Sequence, residues 1–270
     1  MRVKQSHILI CGWNESAPKI IGELRSPVVR EQLSIVVVSD TVREEEIFRF
    51  KDVYLVRGSG FSREALVAAG VDRASRVLIL ADFSRDIDPD AGSILTTLAV
   101  KKLNPAVHTL VEVVSPGNLI HFKRARADEL VSTCELSVKL LAQAAMSHGL
   151  SWFFLELFTF QEEGQEIYRL LVPATVAGVI FSDISDTLLD SQIIPVGVIT
   201  DRPHLEAQSG LFSRSDLDNL LAEERPAVIN PPPGFELCEG DALLVMALEE
   251  PKSRKGVFCR KKKRDADNHE

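Results

Sequence analysis

The stretch from His7 to Ala17, His-Ile-Leu-Ile-Cys-Gly-Trp-Asn-Glu-Ser-Ala, limits what this chain can fold into more than any other. Ile8, Leu9, Ile10 and Cys11 are apolar in unbroken succession, the mark of a strand buried on both faces, as in a parallel sheet. Gly12 ends the run. A helical spacing of Ile20, Ile21 and Leu24 follows at once, with Pro18 in the first turn, where its missing N–H is harmless. Buried strand, glycine turn and helix form the first half of a βαβ unit.

The glycine turn compares with the dinucleotide fingerprint G-x-G-x-x-G, whose three glycine places are here Gly12, Asn14 and Ala17. Asn tolerates a left-handed backbone and Ala is small, so the turn can form. The second glycine, however, normally lets a pyrophosphate approach the backbone, and Glu15 sets a negative charge beside that anion. The fold is expected to survive, and NAD is expected to bind weakly or not at all.

Further along, Leu33–Val38 reads as a second buried strand ending at Asp40, where an acid can take ribose hydroxyls. Glu44-Glu45-Glu46 opens a short helix. Strands are expected at Val53–Val56, Arg76–Ala81, His108–Val114 and Glu129–Ser132, alternating with helices at Phe61–Gly70, Pro89–Leu103 and Asn118–Ala125. A long helix follows over Cys134–His148. From Trp152 the texture changes. Trp152–Phe160 is dense in strand-forming aromatics, and Gln161–Gln165 looks like a hairpin turn into Ile167–Val172. A helix at Phe181–Ser191 and strands at Ile193–Thr200 and Ala242–Ala247 complete the pattern.

The expected fold is α/β: a Rossmann-like doubly wound parallel sheet, a crossover helix and a smaller α+β domain. The N-terminal lobe spans 1–133 and the helix 134–150. The second domain spans 151–250 with an insertion at 201–227, and a basic tail covers 251–270. With 270 residues, 45% of them apolar, two modest cores are affordable. No apolar run nears the roughly 20 residues of a membrane helix, and no signal peptide is read at Met1.

Net charge is −8, but the last twenty residues carry +5, leaving −13 on the rest. Such an acidic body is not built for nucleic acid. The four cysteines form no C-x-x-C pair, which points to a reducing compartment and no zinc site. Three lie in apolar patterns and are expected to pack as small hydrophobes. The six histidines lack metal spacing, and neither a nucleophile elbow nor a P-loop Lys is present, so no catalytic constellation emerges.

Asp82, Asp86, Asp88 and Asp90 share one loop at a strand's carboxyl end. An EF-hand is excluded because its sixth place is Ala91 and its twelfth Thr97. Asp88 before Pro89 reads as a helix cap, with a cation or ligand contact as the alternative. Glu112 stands among apolar neighbours on a buried strand, where an acid needs a partner or a cation.

The sequence C-G-W-N after the first strand, the strand ending in Asp40, V-Y-L-V-R-G-S-G and A-A-G-V-D-R-A-S-R-V-L-I-L resemble an RCK domain, a regulator of potassium conductance. The C-terminal V-I-N-P-P-P-G-F-E-L-C-E-G-D-A-L-L-V-M resembles the end of the RCK C-terminal subdomain. The I-C-G-W opening is similar to archaeal calcium-gated potassium channels, and E-R-P-A-V-I-N-P-P to CASTOR/POLLUX channels. The resemblance implies a cytoplasmic ligand-sensing gating module at the inner face of the membrane. It also implies a homodimer, an octameric gating ring built from such units, and a membrane pore domain as partner. The chain is then a channel fragment or a separate docking subunit.

Candidate ligand residues are Gly12, Asn14, Asp40, Ser59 and Asp82; candidate metal residues, for Ca²⁺ or another divalent cation, are Glu112, which the resemblance retains, with Asp86 and Asp88 of the acidic loop. The archaeal calcium site is only partly retained: Ser59 and Val114 stand where acids are expected, and Glu112 is kept. A KTN-type nucleotide-binding subunit of a potassium transporter is the alternative, with an adenine nucleotide held by Asp40 and the helix N-terminus. An NAD-dependent oxidoreductase is the least favoured reading.

Overall fold

The computed structural model describes residues 6–27, 29, 32–84, 87–159, 166–200, 227–249 and 251. The chain divides into two compact units, Met1–Ser151 and Trp152–Glu270.

In the first unit, strands β1 (His7–Cys11), β2 (Ser34–Val38), β3 (Val53–Val56), β4 (Arg76–Ile79), β5 (His108–Val113) and β6 (Glu129–Ser132) form one parallel sheet of order β3-β2-β1-β4-β5-β6. Ile8 pairs with Ile35 on one side and Arg76 on the other. The strand order reverses between β1 and β4, and loops leaving these two strands diverge to open a crevice. Leu9, Ile10, Ile35, Val36, Val37 and Val38 have no exposed surface. The unbroken apolar runs are therefore explained by a sheet covered on both faces.

The connecting helices are α1 (Ala17–Leu24), α2 (Glu44–Phe48), α3 (Arg63–Ala68), α4 (Pro89–Leu103) and α5 (Leu119–Arg124). Ser62 caps α3 by accepting from the Ala65 N–H, and Asp88 caps α4 by accepting from the Ala91 N–H at 3.0 Å. The long helix α6 (Thr133–Met146) starts on a Ser132 cap and buries none of its residues.

Ionic ties hold the sheet's lower end. Asp128 accepts from Lys101 Nζ at 2.6 Å and from the Thr109 N–H and hydroxyl, joining α4 to β5 and the start of β6. Burial pushes its carboxyl up, but these donors together outweigh burial and hold it below the usual range. His7 is fully buried and its Nε2 donates to Ala69 O at 3.0 Å. Its Nδ1 has no partner among the described residues, and burial lowers the ring's pKa.

In the second unit, α7 (Leu150–Phe158) corrects the expectation of a strand over Trp152–Phe160. Only Ser151 and Glu156 interrupt its apolar residues, so no two-residue alternation specifies a strand. Phe154 and Phe158, one helical turn apart, stack at 5.8 Å. The expected hairpin turn at 161–165 lies outside the described residues. Strand β7 (Glu166–Leu171) instead pairs antiparallel with β10 (Ala242–Ala247), in a sheet of order β7-β10-β8-β9. Strand β8 is Ile194–Ile199, and β9, Ala227–Ile229, was not anticipated. Helix α8 (Phe181–Leu189) buries Phe181, Ile184 and Leu188 against the inner sheet face of Leu170, Val198, Leu243 and Val245. The expected insertion lies almost wholly outside the described residues.

Cys11 is buried and its thiol is pushed up to about 12 by burial. Cys238 is half-buried, while Cys134 is exposed, so packing as a small hydrophobe fails there.

The lowered His7 pKa means that the neutral ring is the folded form. Stability contributed this way is present above the unfolded value of 6.5 and is lost as pH falls through the folded value. Denaturant melts are expected to show unfolding free energy declining below that pH, and His7→Gln should flatten this limb. An unchanged slope in the variant would assign the limb to other groups.

Candidate functional site

The β1–α1 turn lies against the end of β4. Gly12 has φ +89° and its N–H donates to Val38 O at 3.1 Å. A Cβ there would come within 2.3 Å of Leu80 O, so only glycine fits. Two residues on, Asn14 reaches across the strand tips. Its Nδ2 donates to Ala81 O at 3.0 Å and to Glu112 Oε2 at 2.8 Å. The same Oε2 accepts from the Ala81 N–H at 3.0 Å. One carboxylate on β5 thus ties the β1 turn to the end of β4, which explains an acid inside an apolar strand.

The other end of Asn14 bears on α1. Its Oδ1 accepts from the Ser16 N–H at 3.0 Å. Asn14 therefore occupies part of the turn that a pyrophosphate enters when the place is glycine. Trp13, beside it, packs onto the core under α1 and α2, and its indole N–H donates to Glu46 Oε2 at 3.3 Å.

Gly12, Ser59 and Asp82 line one crevice with Gly60, Phe61 and Ser93, where the loops after β1, β3 and β4 meet the first turns of α4. It is narrow: about 30 Å³, room for one or two waters. A Cβ on Gly60 would touch Thr96 at 3.0 Å and Cys11 at 3.3 Å, so the β3 loop is pressed onto α4. Ser93 Oγ, buried at this crevice, has no partner among the described residues.

Asp40 stands exposed after β2, away from the crevice lining. Asp82 Oδ1 accepts from the Ser84 N–H at 3.0 Å. Asp88 is the α4 cap, and Asp86 lies outside the described residues. Among the described residues no group of three His, Cys, Asp or Glu is placed to hold a metal ion.

Asp90, read from the sequence only as one acid of the loop after β4, lies in the first turn of α4. It is 1% exposed, and accepts from the Val114 N–H at 2.9 Å, the Ser115 N–H at 2.8 Å and Asn118 Nδ2 at 2.8 Å. Both oxygens are engaged in binding α4 to the loop after β5. Its position in the first helical turn, behind Asp88-Pro89, was the available signal.

Residues 3–111 match the family model described as the calcium-activated potassium channel slowpoke-like RCK domain. The resemblance to RCK domains is thereby borne out over residues 3–111. The calcium-gated potassium channel TvoK of Thermoplasma volcanium is 29% identical over 194 residues, 70% of this chain and 54% of that protein. The probable ion channel SYM8 of Pisum sativum is 24% identical over 280 aligned positions, 96% of this chain and 28% of that protein. The human SLO3 gating ring superposes over 90% of this chain and 44% of its own, with a TM-score of 0.63 at 16% identity, which shows a shared fold. The chain spans about half, or less, of the length of the relatives it matches.

Removing the Glu112 side chain leaves the Ala81 N–H and the Asn14 amide without their acceptor. Glu112→Ala is expected to lower unfolding free energy by about 2 kcal/mol. Glu112→Gln keeps an acceptor oxygen and should lose about half as much. Equal losses in urea melts would show that the acceptor geometry is not what matters.

Proposed function

We propose that this chain is the ligand-sensing gating part of a potassium or other cation channel, converting ligand binding into opening or closing of a membrane pore. The observation that carries the reading is the RCK match over residues 3–111, on a lobe whose strand tips are joined through Glu112. A gating lobe needs tips with two arrangements that a ligand can bias. Glu112 Oε2 holds two donors from two elements, so a ligand that competes for it loosens both contacts together. Such a domain acts in the cytoplasm beside the pore it controls. Its role is regulatory rather than catalytic; among the described residues, no helix is long and apolar enough to cross a membrane.

The ligand is a divalent cation, with Ca²⁺ the first to test, acting through Glu112 and the Asp82–Asp90 loop. Asp88 and Asp90 are engaged in capping and in backbone contacts, which supports a weak site rather than a tight cage. Millimolar Ca²⁺ is expected to raise the melting temperature of the wild type by about 1–3 °C. Glu112→Gln should abolish the rise. No rise in the wild type, or an equal rise in the variant, overturns this assignment.

NAD is not the ligand in this reading. Asn14 bridges the turn and takes the Ser16 N–H, and Glu15 adds a negative charge. An adenine nucleotide retains Asp40 and the α1 N-terminus as contacts. Calorimetry is expected to find no sub-micromolar NADH affinity; finding it would favour the transporter-subunit reading.

The protein assembles at least as a homodimer, and rings are built from such dimers. Leu136, Val138, Leu141 and Met146 on α6, with Trp152, Phe153, Leu155 and Phe158 on α7, are all more than half exposed. That much open apolar surface on two successive helices supports an interface between copies. Light scattering at tens of micromolar should give at least twice the chain mass, and a monomeric mass would refute the assembly.

A further inference from the structure

Helix α8 carries charge that works against it. At about 100° per residue, Asp183, Asp186 and Asp190 fall on the side of α8 opposite Phe181, Ile184 and Leu188, and the helix has no Lys or Arg. Successive acids stand three and four positions apart, where like charges repel. Asp190 is the C-cap, beside the negative end of the helix dipole. The excess is general here: the described residues of the second unit include nine Asp or Glu and one base, Arg169.

The start of α8 also walls a groove of about 400 Å³ with the loop after β7, lined by Val176, Val179, Ile180, Asp183 and Thr187. Aliphatic walls with a single acid suit a Lys or Arg side chain, whose stem is apolar and whose head is charged. Residues 252–270 supply such side chains, with eight Lys or Arg against three Asp or Glu, and five of the bases consecutive at Arg260–Arg264. They lie outside the described residues, but the point from which they depart is fixed. Ile193 N–H donates to Leu188 O at 3.0 Å, which sets the end of α8 beside the start of β8. There Ile194 pairs with Met246, one residue before β10 ends at Ala247. The chain thus leaves the sheet at the Asp190 end of α8. The nine residues from Pro251 to Arg260 reach up to about 30 Å, while α8, nine residues long, spans about 14 Å.

We propose that the Arg260–Arg264 segment docks on the outer face of α8 of its own chain. Its charges lie against Asp190, Asp186 and Asp183, and one aliphatic stem occupies the groove beside Val179 and Ile180. Charge complementarity and the short reach favour this surface over a lipid headgroup. The docking needs neither a gating ligand nor a second copy. A basic segment held on an acidic helix is released by salt, or by an anionic surface that competes for the same lysines.

A carbodiimide, which joins an amine to a carboxylate in direct contact, tests this on the full chain. Lys261, Lys262 or Lys263 is expected to link to Asp183, Asp186 or Asp190, within one chain when labelled and unlabelled chains are mixed. The yield should fall about fivefold or more on raising NaCl from about 0.05 to about 0.5 M. In hydrogen exchange, changing all three lysines to Gln should speed amide exchange across α8 about threefold or more. In a background of Asp186→Asn and Asp190→Asn, the same lysine changes should have no effect, which separates docking from any influence of the acids on the helix itself. Links that join labelled to unlabelled chains would place the segment on a second copy and overturn the proposal. So would an absence of links to α8, or lysine changes that speed exchange equally in both backgrounds. If the lysine changes abolish binding to phosphatidylserine vesicles while α8 exchange stays unchanged, the segment is a lipid contact and the docking is wrong.

Discussion

The close approach of the β1–α1 turn to the end of β4 is the constraint on which the first unit depends. Gly12 sits where any side chain would collide with Leu80 O, and that contact sets Asn14 within reach of Ala81 and Glu112. The tips of β1, β4 and β5 are therefore held by one amide and one carboxylate rather than by strand pairing alone. Both are half-buried polar groups, where a satisfied hydrogen bond is stronger than in open water and an unsatisfied one is costlier. A lobe built in this way has stiff strands and an end whose geometry hangs on a few polar contacts.

Acids that looked like a ligand cluster divide into distinct structural tasks. Asp88 holds the first turn of α4, Asp90 binds that turn to the loop after β5, and Asp128 fastens the opposite end of α4 through Lys101. All three accept hydrogen bonds, and at Asp128 the donors hold the carboxyl below its usual range although burial opposes this. The negative charge of the body is thus partly put to use in fixing α4, the helix whose first turns line the crevice with Gly12, Ser59 and Asp82.

The two units differ in how completely they bury themselves. The parallel sheet is covered on both faces, and its central strands show no exposed apolar side chain. Among the described residues the antiparallel sheet is covered on one face by α8, and α7 buries nothing; in the first unit α6 likewise has no buried residue. Hydrophobic burial that one chain leaves incomplete is the normal driving force for association.

Much of the first unit was legible residue by residue. Buried strands announced themselves as unbroken Ile, Leu and Val, and Asp88-Pro89 marked the start of α4 because capping is local chemistry. The same locality explains the error at Trp152–Phe160: an aromatic run without alternation carries no period, and strand preference depends on a neighbouring strand that β7 takes from β10 instead. Glu112 could be singled out as an acid that needs a partner, but the partner, Asn14, is 98 positions away. Asp90 was hidden for the same reason, its donors lying 24 to 28 positions downstream. The sequence by itself determined the order of strands and helices in the first unit, the glycine turn and the RCK resemblance, since each rests on patterns within a few residues. Only the tertiary structure decided which carboxylates are engaged, how narrow the crevice is and which apolar faces stay open, because those depend on groups brought together from distant parts of the chain.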